Sequence, residues 1–192
     1  MGLDDLAMMR AIHHSTVVYP ADAVATEKLM FELIHQEGIA YLRAARPKTP
    51  MIYSSKESFP IGGSKLHKAK KKNIRATVVA AGVTLHEALA AQKELAKHDI
   101  HIHVLDCYSV KPIDIKMLHQ VTHDSKHLIV VEDHYPEGGL GEAVMSAFAI
   151  NDDVHLHHLA VYKLPRSGKP DELLDYMGIS AKTIVSTVKR IK

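Results

Sequence analysis

The run Leu128-Ile129-Val130-Val131, which stops abruptly at Glu132-Asp133-His134, constrains this chain more than any other stretch. It continues through Tyr135-Pro136-Glu137-Gly138-Gly139-Leu140-Gly141-Glu142 into the Ala-rich segment Ala143 to Phe148. A strand that is apolar on every residue has no face to offer to water. It must be covered on both sides, so the pattern predicts a buried parallel strand that leads through a loop into a helix. In open α/β sheets, ligands meet the chain at such strand ends. Glu132, Asp133 and His134 are therefore candidates for a carboxylate–imidazole proton-transfer set. Strand-end polar residues more often cap the next helix or hold a neighbouring loop, and that bland reading stands beside the catalytic one. Gly138-Gly139-Leu140-Gly141 departs from G-x-G-x-x-G and lies late in the chain, so it gives little support to a dinucleotide loop.

The same rhythm extends outward from this strand. Thr77 to Ala81 reads as a buried strand, Gly82 as a turn, and Thr84 as the cap of a helix through Lys97. Ile100 to Asp106, Lys126 to Glu132 and Val154 to Ala160 read as further strands, and Ile113 to Val121 as a helix. Ala181 to Ile191 places Ile184, Val185, Val188 and Ile191 on one helical face. Strands alternating with helices predict a three-layer α/β/α fold with a mainly parallel sheet. Upstream, Leu3 to Arg10 reads as a helix with Asp4 and Asp5 near its start, and Thr16 to Pro20 as a strand. Asp22 then caps a helix through about His35, Gly38 breaks it, and Ile39 to Arg43 forms a strand. This is a partial α/β domain, short of the strands that would close its core. Pro47, Pro50 and Pro60 punctuate 48–63, which reads as an extended linker with one short strand at Met51 to Tyr53. The division predicted is residues 1–59, a partial domain plus linker, and 60–192, the main α/β domain.

Charge excludes some functions. The 24 basic and 22 acidic residues nearly cancel, so nothing draws the chain as a whole toward nucleic acid or a membrane surface. Lys68, Lys70, Lys71, Lys72 and Arg75 have no interleaved aromatics and read as a solvated turn. Cys107 is the only cysteine, and there is no apolar segment of signal-peptide or membrane-spanning length; a reducing, cytoplasmic setting is expected. Cys107 itself reads as a small core or loop residue, since spacing identifies no activating histidine. Among the 15 histidines, His101-x-His103 and His155-x-His157 have ligand spacing on a strand. Their alternation with Ile and Leu is also what an edge or surface strand shows. No companion Cys or acid completes a site, so no metal ligand is assigned. His13-His14, His123 and His127 read as surface residues, and His86 as a helix-start residue facing a neighbouring loop.

The pattern Val131-Glu132-Asp133-His134-Tyr135-x-Glu137-Gly138-Gly139-x-Gly141-Glu142-Ala143-Val144 resembles the C-terminal domain of transketolase. Three further stretches occur in the same order as in that family. They are Leu3-x-Asp5-Leu6-Ala7-Met8 with Val18 to Asp22, then Ala81 to Leu89, then Val161 to Pro170 with Pro165-Arg166-Ser167-Gly168-Lys169-Pro170. The wording His86-Glu87-Ala88 is similar to the shorter, animal-like branch. The resemblance implies a Rossmann-like C-terminal domain at 60–192 and the end of a pyrimidine-binding domain at 1–59. It also implies transfer of a two-carbon ketol unit from a ketose phosphate to an aldose phosphate in the pentose phosphate pathway, by a cytoplasmic homodimer using thiamine diphosphate and Mg2+. In the family, the diphosphate–metal motif beginning Gly-Asp-Gly and the glutamate that activates the cofactor lie upstream of the region matched. No Gly-Asp-Gly occurs here, so the chain reads as a fragment, expected to be inactive alone, to bind no cofactor, and to contribute no catalytic residue. One cleft residue carries over: Arg46 matches the arginine that grips the substrate phosphate, although Ala44-Ala45 stands where the family usually has Thr-Ser. Pro47 biases Arg46 toward an extended backbone. Two alternatives share the pattern: a dihydroxyacetone synthase or thiamine-dependent dehydrogenase subunit, and a non-catalytic structural or dimerisation module.

Overall fold

The computed structural model describes residues 2–46, 48–148 and 153–191. The first section contains α1 (Asp5–Ala11), β1 (Thr16–Val18), α2 (Ala23–Ile34) and β2 (Ala40–Leu42). Then follow β3 (Lys65–His67), β4 (Ile74–Ala80), α3 (Val83–Ala96), β5 (His101–Asp106), β6 (Ser109–Lys111), α4 (Ile115–Val121) and β7 (His127–Val131). The chain continues through α5 (Leu140–Ala147), β8 (His155–Leu159), α6 (Pro170–Met177) and α7 (Ala181–Arg190).

The larger sheet has five strands in the order β3-β5-β4-β7-β8. β5, β4, β7 and β8 run parallel, and β3 lies antiparallel at one edge. Side-chain alternation along the strands explains the two cores. Val78 and Ala80 of β4 and Ile129 and Val131 of β7 point to the face packed by α2, α3 and α7, through Leu29, Leu85 and Ile184. Val79, Leu128 and Val130 point to the opposite face, against Leu6, Leu118 and Val144 of α1, α4 and α5. A strand sandwiched in this way must be apolar along its buried length, which is why β7 carries only apolar residues from Leu128 to Val131. The fold is thus the three-layer α/β/α arrangement with a mainly parallel sheet that the alternation predicts.

The smaller sheet has the order β2-β1-β6. β1 and β2 are parallel, and β6, from the loop after β5, adds antiparallel to β1. The partial unit is therefore completed by a strand from the main section, and the two share one body of structure.

Four readings need correction. Met51 to Tyr53 form no strand: the amides of Ile52 and Tyr53 donate to Asp22 Oδ2 at 2.7 and 2.9 Å, so a carboxylate takes the place of a strand partner. The other oxygen of Asp22 caps α2 at the Ala25 amide, 2.8 Å away, as expected of an N-cap. Thr84 is not the cap of α3; Gly82 is, at φ 57°, while Thr84 Oγ1 lies 2.9 Å from the carbonyl oxygens of both Ala81 and Val131 and ties β4 to β7. β5 is an interior strand, so His103 is buried. Finally, β6 and α6 answer to no element expected from the sequence. α6 begins at a proline and ends at Gly178 in the left-handed region, but buries no residue fully and so lacks a dense apolar stripe.

Candidate functional site

The parallel strands wind outward from the centre of the sheet, β4 to β5 on one side and β7 to β8 on the other. The crevice between the carboxyl ends of β4 and β7 is where doubly wound folds bind ligands. Here it is filled from within. The Tyr19 ring lies against Gly82, so closely that an added Cβ would fall inside the ring. Its hydroxyl donates to Asp133 Oδ2 at 3.0 Å. Arg43, 3% exposed, donates from Nη1 to Asp133 Oδ1 at 2.9 Å and from Nη2 to the Asp133 carbonyl at 3.1 Å. Its Nε stands 3.0 Å from Asp5 Oδ2, and its guanidinium lies 4.7 Å from the Tyr19 ring centroid. Burial pushes the Asp133 carboxyl above its ordinary pKa, against the pull of Arg43. Sequence reasoning missed Arg43 and Tyr19. The available signal was Asp133 itself, a strand-end acid that needs a cation once buried.

Glu132, Asp133 and His134 do not form a proton-transfer set. Both oxygens of Glu132 accept from the start of α5, at the amides of Leu140 (2.6 Å) and Gly141 (2.9 Å), and His158 Nε2 lies 2.5 Å from Oε1. His134 places Nδ1 2.6 Å from the Tyr135 carbonyl, which fixes the proton there and leaves Nε2 to accept from the Ala7 amide at 3.3 Å. No hydrogen bond joins Glu132 to His134 among the described residues. The glycine loop is equally structural. Gly138, at φ +69°, lies against Ala7 of α1, and Arg10 donates to the carbonyls of Gly138 and Gly139. His86 Nε2 pairs with the Ala21 carbonyl at 2.8 Å, the neighbouring-loop role expected of it. Cys107 is a free, fully buried thiol whose pKa burial pushes up.

Beside this joint a cleft of about 780 Å³ opens between the loop after β2, the start of α3 and the segment around α6. Its floor is apolar, with Leu3, Val83, Val161, Leu174 and Ile179; Arg46, Lys48, His86 and Arg166, with the carboxylates of Glu87, Asp133 and Asp171, bring polar groups to its walls. These groups differ in freedom. Arg166 is stacked on Tyr176, 3.7 Å from the ring centroid, and His86 is tied to Ala21. Arg46 is exposed and has neither an ion-pair nor a hydrogen-bond partner among the described residues. Pro47, expected to direct it, lies outside the described residues. No three His, Cys, Asp or Glu side chains are arranged around a common metal position among the described residues.

Comparison with known proteins places the fold among relatives. The family described as "Transketolase, C-terminal domain" matches residues 66–184. The chain is 48% identical over 192 residues to transketolase-like protein 1 of Bos taurus, covering all of this chain and 32% of that protein. It is 46% identical over 190 residues to transketolase of Homo sapiens, covering 98% of this chain and 30% of that protein. It therefore spans about a third of the length of these relatives. A solved structure of a split-gene transketolase, an inactive beta4 tetramer, superposes with a TM-score of 0.88 at 29% identity, over all of this chain and 61% of that one. Fold and sequence similarity converge: the chain belongs to the transketolase family, as its C-terminal domain with the segment that precedes it.

Proposed function

We propose that this chain is the C-terminal section of a cytoplasmic transketolase, an enzyme that moves a two-carbon ketol unit from a ketose phosphate to an aldose phosphate, and that its direct contribution is a clamp for the substrate phosphate. The observation that carries the reading is Arg46, an exposed guanidinium on a cleft wall with no carboxylate partner among the described residues. A guanidinium presents a planar fork of donors that fits phosphate bidentately and stays charged at any working pH. Thiamine diphosphate with Mg2+ would supply the electron sink for ketol transfer when bound. By resemblance to the family, their ligands are expected in sections outside this chain. What remains for this chain is to orient the sugar phosphate and to lock its two sections together, the task of Tyr19, Arg43 and Asp133. Assembly as a homodimer belongs to the same proposal; the split-gene neighbour is a beta4 tetramer, which supports oligomeric assembly and leaves the dimer to the proposal. The free, buried Cys107 fits a reducing compartment.

The test is a chimera in which this chain replaces the C-terminal section of a mammalian transketolase. The chimera should transfer ketol units with thiamine diphosphate and Mg2+, while the chain alone gives no saturable heat in calorimetric titration with the cofactor. A folded chimera that binds the cofactor but transfers nothing would contradict the proposal.

A further inference from the structure

Building on the assignment of Arg46 to the substrate phosphate, we infer that Asp22 is a positioning residue for that clamp: it fixes the far end of the loop that carries Arg46, and its effect on the reaction runs through that arginine. The loop after β2 is pinned at two points. At its near end the Arg43 amide donates to the Val18 carbonyl at 2.9 Å, and the Arg43 side chain is buried against Asp133 and Asp5. At its far end the amides of Ile52 and Tyr53 donate to Asp22 Oδ2 at 2.7 and 2.9 Å. In between, among the described residues, no hydrogen bond ties the stretch from Ala44 to Met51 to the rest of the fold. Arg46 sits inside that stretch, three residues from one pin and six from the other, with Lys48, Thr49 and Pro50 beside it on the cleft wall. Each residue spans at most about 3.3–3.6 Å, so the two pins limit where the guanidinium can stand.

The Asp22 carboxylate is well placed for this task. It is 2% exposed, so water does not compete for its hydrogen bonds. One oxygen caps α2 at the Ala25 amide, 2.8 Å away, while the other holds the loop. α2 is itself seated in the core through Ala25, Leu29 and Leu33, so the loop hangs from a fixed element. The opposite wall of the cleft is attached at the same place, because His86 Nε2 lies 2.8 Å from the carbonyl oxygen of Ala21, the preceding residue. The dipeptide Ala21-Asp22 thus ties the loop after β2 and the start of α3 to each other and sets the width of the cleft between them. In such a cleft a misplacement of about 1 Å is enough to weaken a positioning contact severely. The Tyr53 side chain is held separately: its ring meets Phe59 edge-on at 5.0 Å, and its hydroxyl donates to Asp106 at 2.5 Å. Loss of the Asp22 bonds therefore loosens the loop without detaching it.

Asp22→Asn separates the two tasks of the carboxylate. Asparagine caps helices about as well as aspartate, and with its oxygen on the Ala25 amide it turns an NH2 group toward the two loop amides, donor against donors. In the full chain, hydrogen exchange followed by NMR should quicken by about tenfold or more at the amides of Ile52 and Tyr53 and stay unchanged at Ala25. In the full-length chimera, KM for fructose 6-phosphate should rise about threefold to tenfold, while kcat and the kinetics with hydroxypyruvate, which carries no phosphate, stay within about twofold of the parent. In an Arg46→Ala background the same substitution should add no further rise, since an effect carried by Arg46 has nothing left to act through. Asp22→Ser, which keeps a capping oxygen and has no second one, gives the same readouts should Asp22→Asn fail to fold. Unchanged exchange at Ile52 and Tyr53, an unchanged KM despite loosened amides, equal impairment of both substrates, or an effect that adds fully to that of Arg46→Ala would each overturn the inference. The phosphate clamp would survive these results as long as Arg46→Ala alone separates the two substrates; if it does not, the clamp fails and the role of Asp22 fails with it.

Discussion

Replacing Arg43 with methionine keeps an unbranched stem over the Tyr19 ring and removes one charge from a joint that contains two carboxylates. Asp133, 15% exposed, loses its 2.9 Å partner, and Asp5, 17% exposed, loses a cation at 3.0 Å. Breaking a buried pair from one side costs about 3–5 kcal/mol, because the remaining charge is left without compensation. For a chain of this size, each kcal/mol moves the melting temperature by about 2–4 °C, so a loss of about 6–20 °C is expected. The loss should also depend on pH. Burial already holds the Asp133 carboxyl above its ordinary pKa, and Arg43 pulls it back down. Without Arg43 the folded pKa climbs further, while the unfolded chain still releases the proton near pH 3.9 or so. A carboxyl whose folded pKa is raised loses stability as pH rises toward its folded value; the unfolded value is common to both proteins, so the deficit of Arg43→Met widens as pH rises above the parent's folded Asp133 pKa toward the higher one of the variant. Adding Asp133→Asn removes the stranded charge and should recover part of the loss. Thermal melts monitored by circular dichroism across this pH range give the answer. A deficit below about 1 kcal/mol, or one that neither varies with pH nor responds to Asp133→Asn, would refute the reasoning.

Asp106 is fully buried, with Tyr53 donating to Oδ2 at 2.5 Å, and burial raises its carboxyl to about 7. Folded Asp106 thus keeps a proton that the unfolded chain releases, and its contribution to stability falls as pH rises from about 4 to about 7; the melting temperature of Asp106→Asn minus that of the parent should become more positive from about pH 5 to about pH 8, and a flat difference would contradict the assignment. A Cβ on Gly139 would collide with Glu132 Oε2 and stand 2.7 Å from His134 Nδ1, whereas one on Gly178 meets nothing within 4 Å. In the full-length chimera, Gly139→Val should lower stability by about 1–3 kcal/mol or more with turnover per folded site nearly unchanged, and a stable but inactive Gly139→Val enzyme would show that the loop belongs to the chemistry.

What the sequence revealed follows from how local each signal is. β7 and α2 were legible because an unbroken apolar run and an Asp N-cap act within a few residues. β6 was not: three residues gain their strand character only by pairing with β1, which lies about ninety positions earlier. Met51 to Tyr53 looked like a strand because it is apolar and bounded by proline, but Asp22 satisfies its amides instead. The same distance effect governs the site. Arg46 stood out through resemblance to the family, while Arg43, only three positions earlier, gave no sign that it would be buried against Asp133 and Asp5.

The most direct test of the central claim is the behaviour of Arg46→Ala in the full-length chimera on two classes of substrate. Losing charge-assisted hydrogen bonds worth about 1.5–3 kcal/mol should raise KM for phosphorylated sugars by about tenfold or more. Hydroxypyruvate, which carries no phosphate, should react almost as in the parent. Equal impairment of both substrates would mean that Arg46 supports the fold or the cofactor, and the assignment of this section as the phosphate clamp would fail.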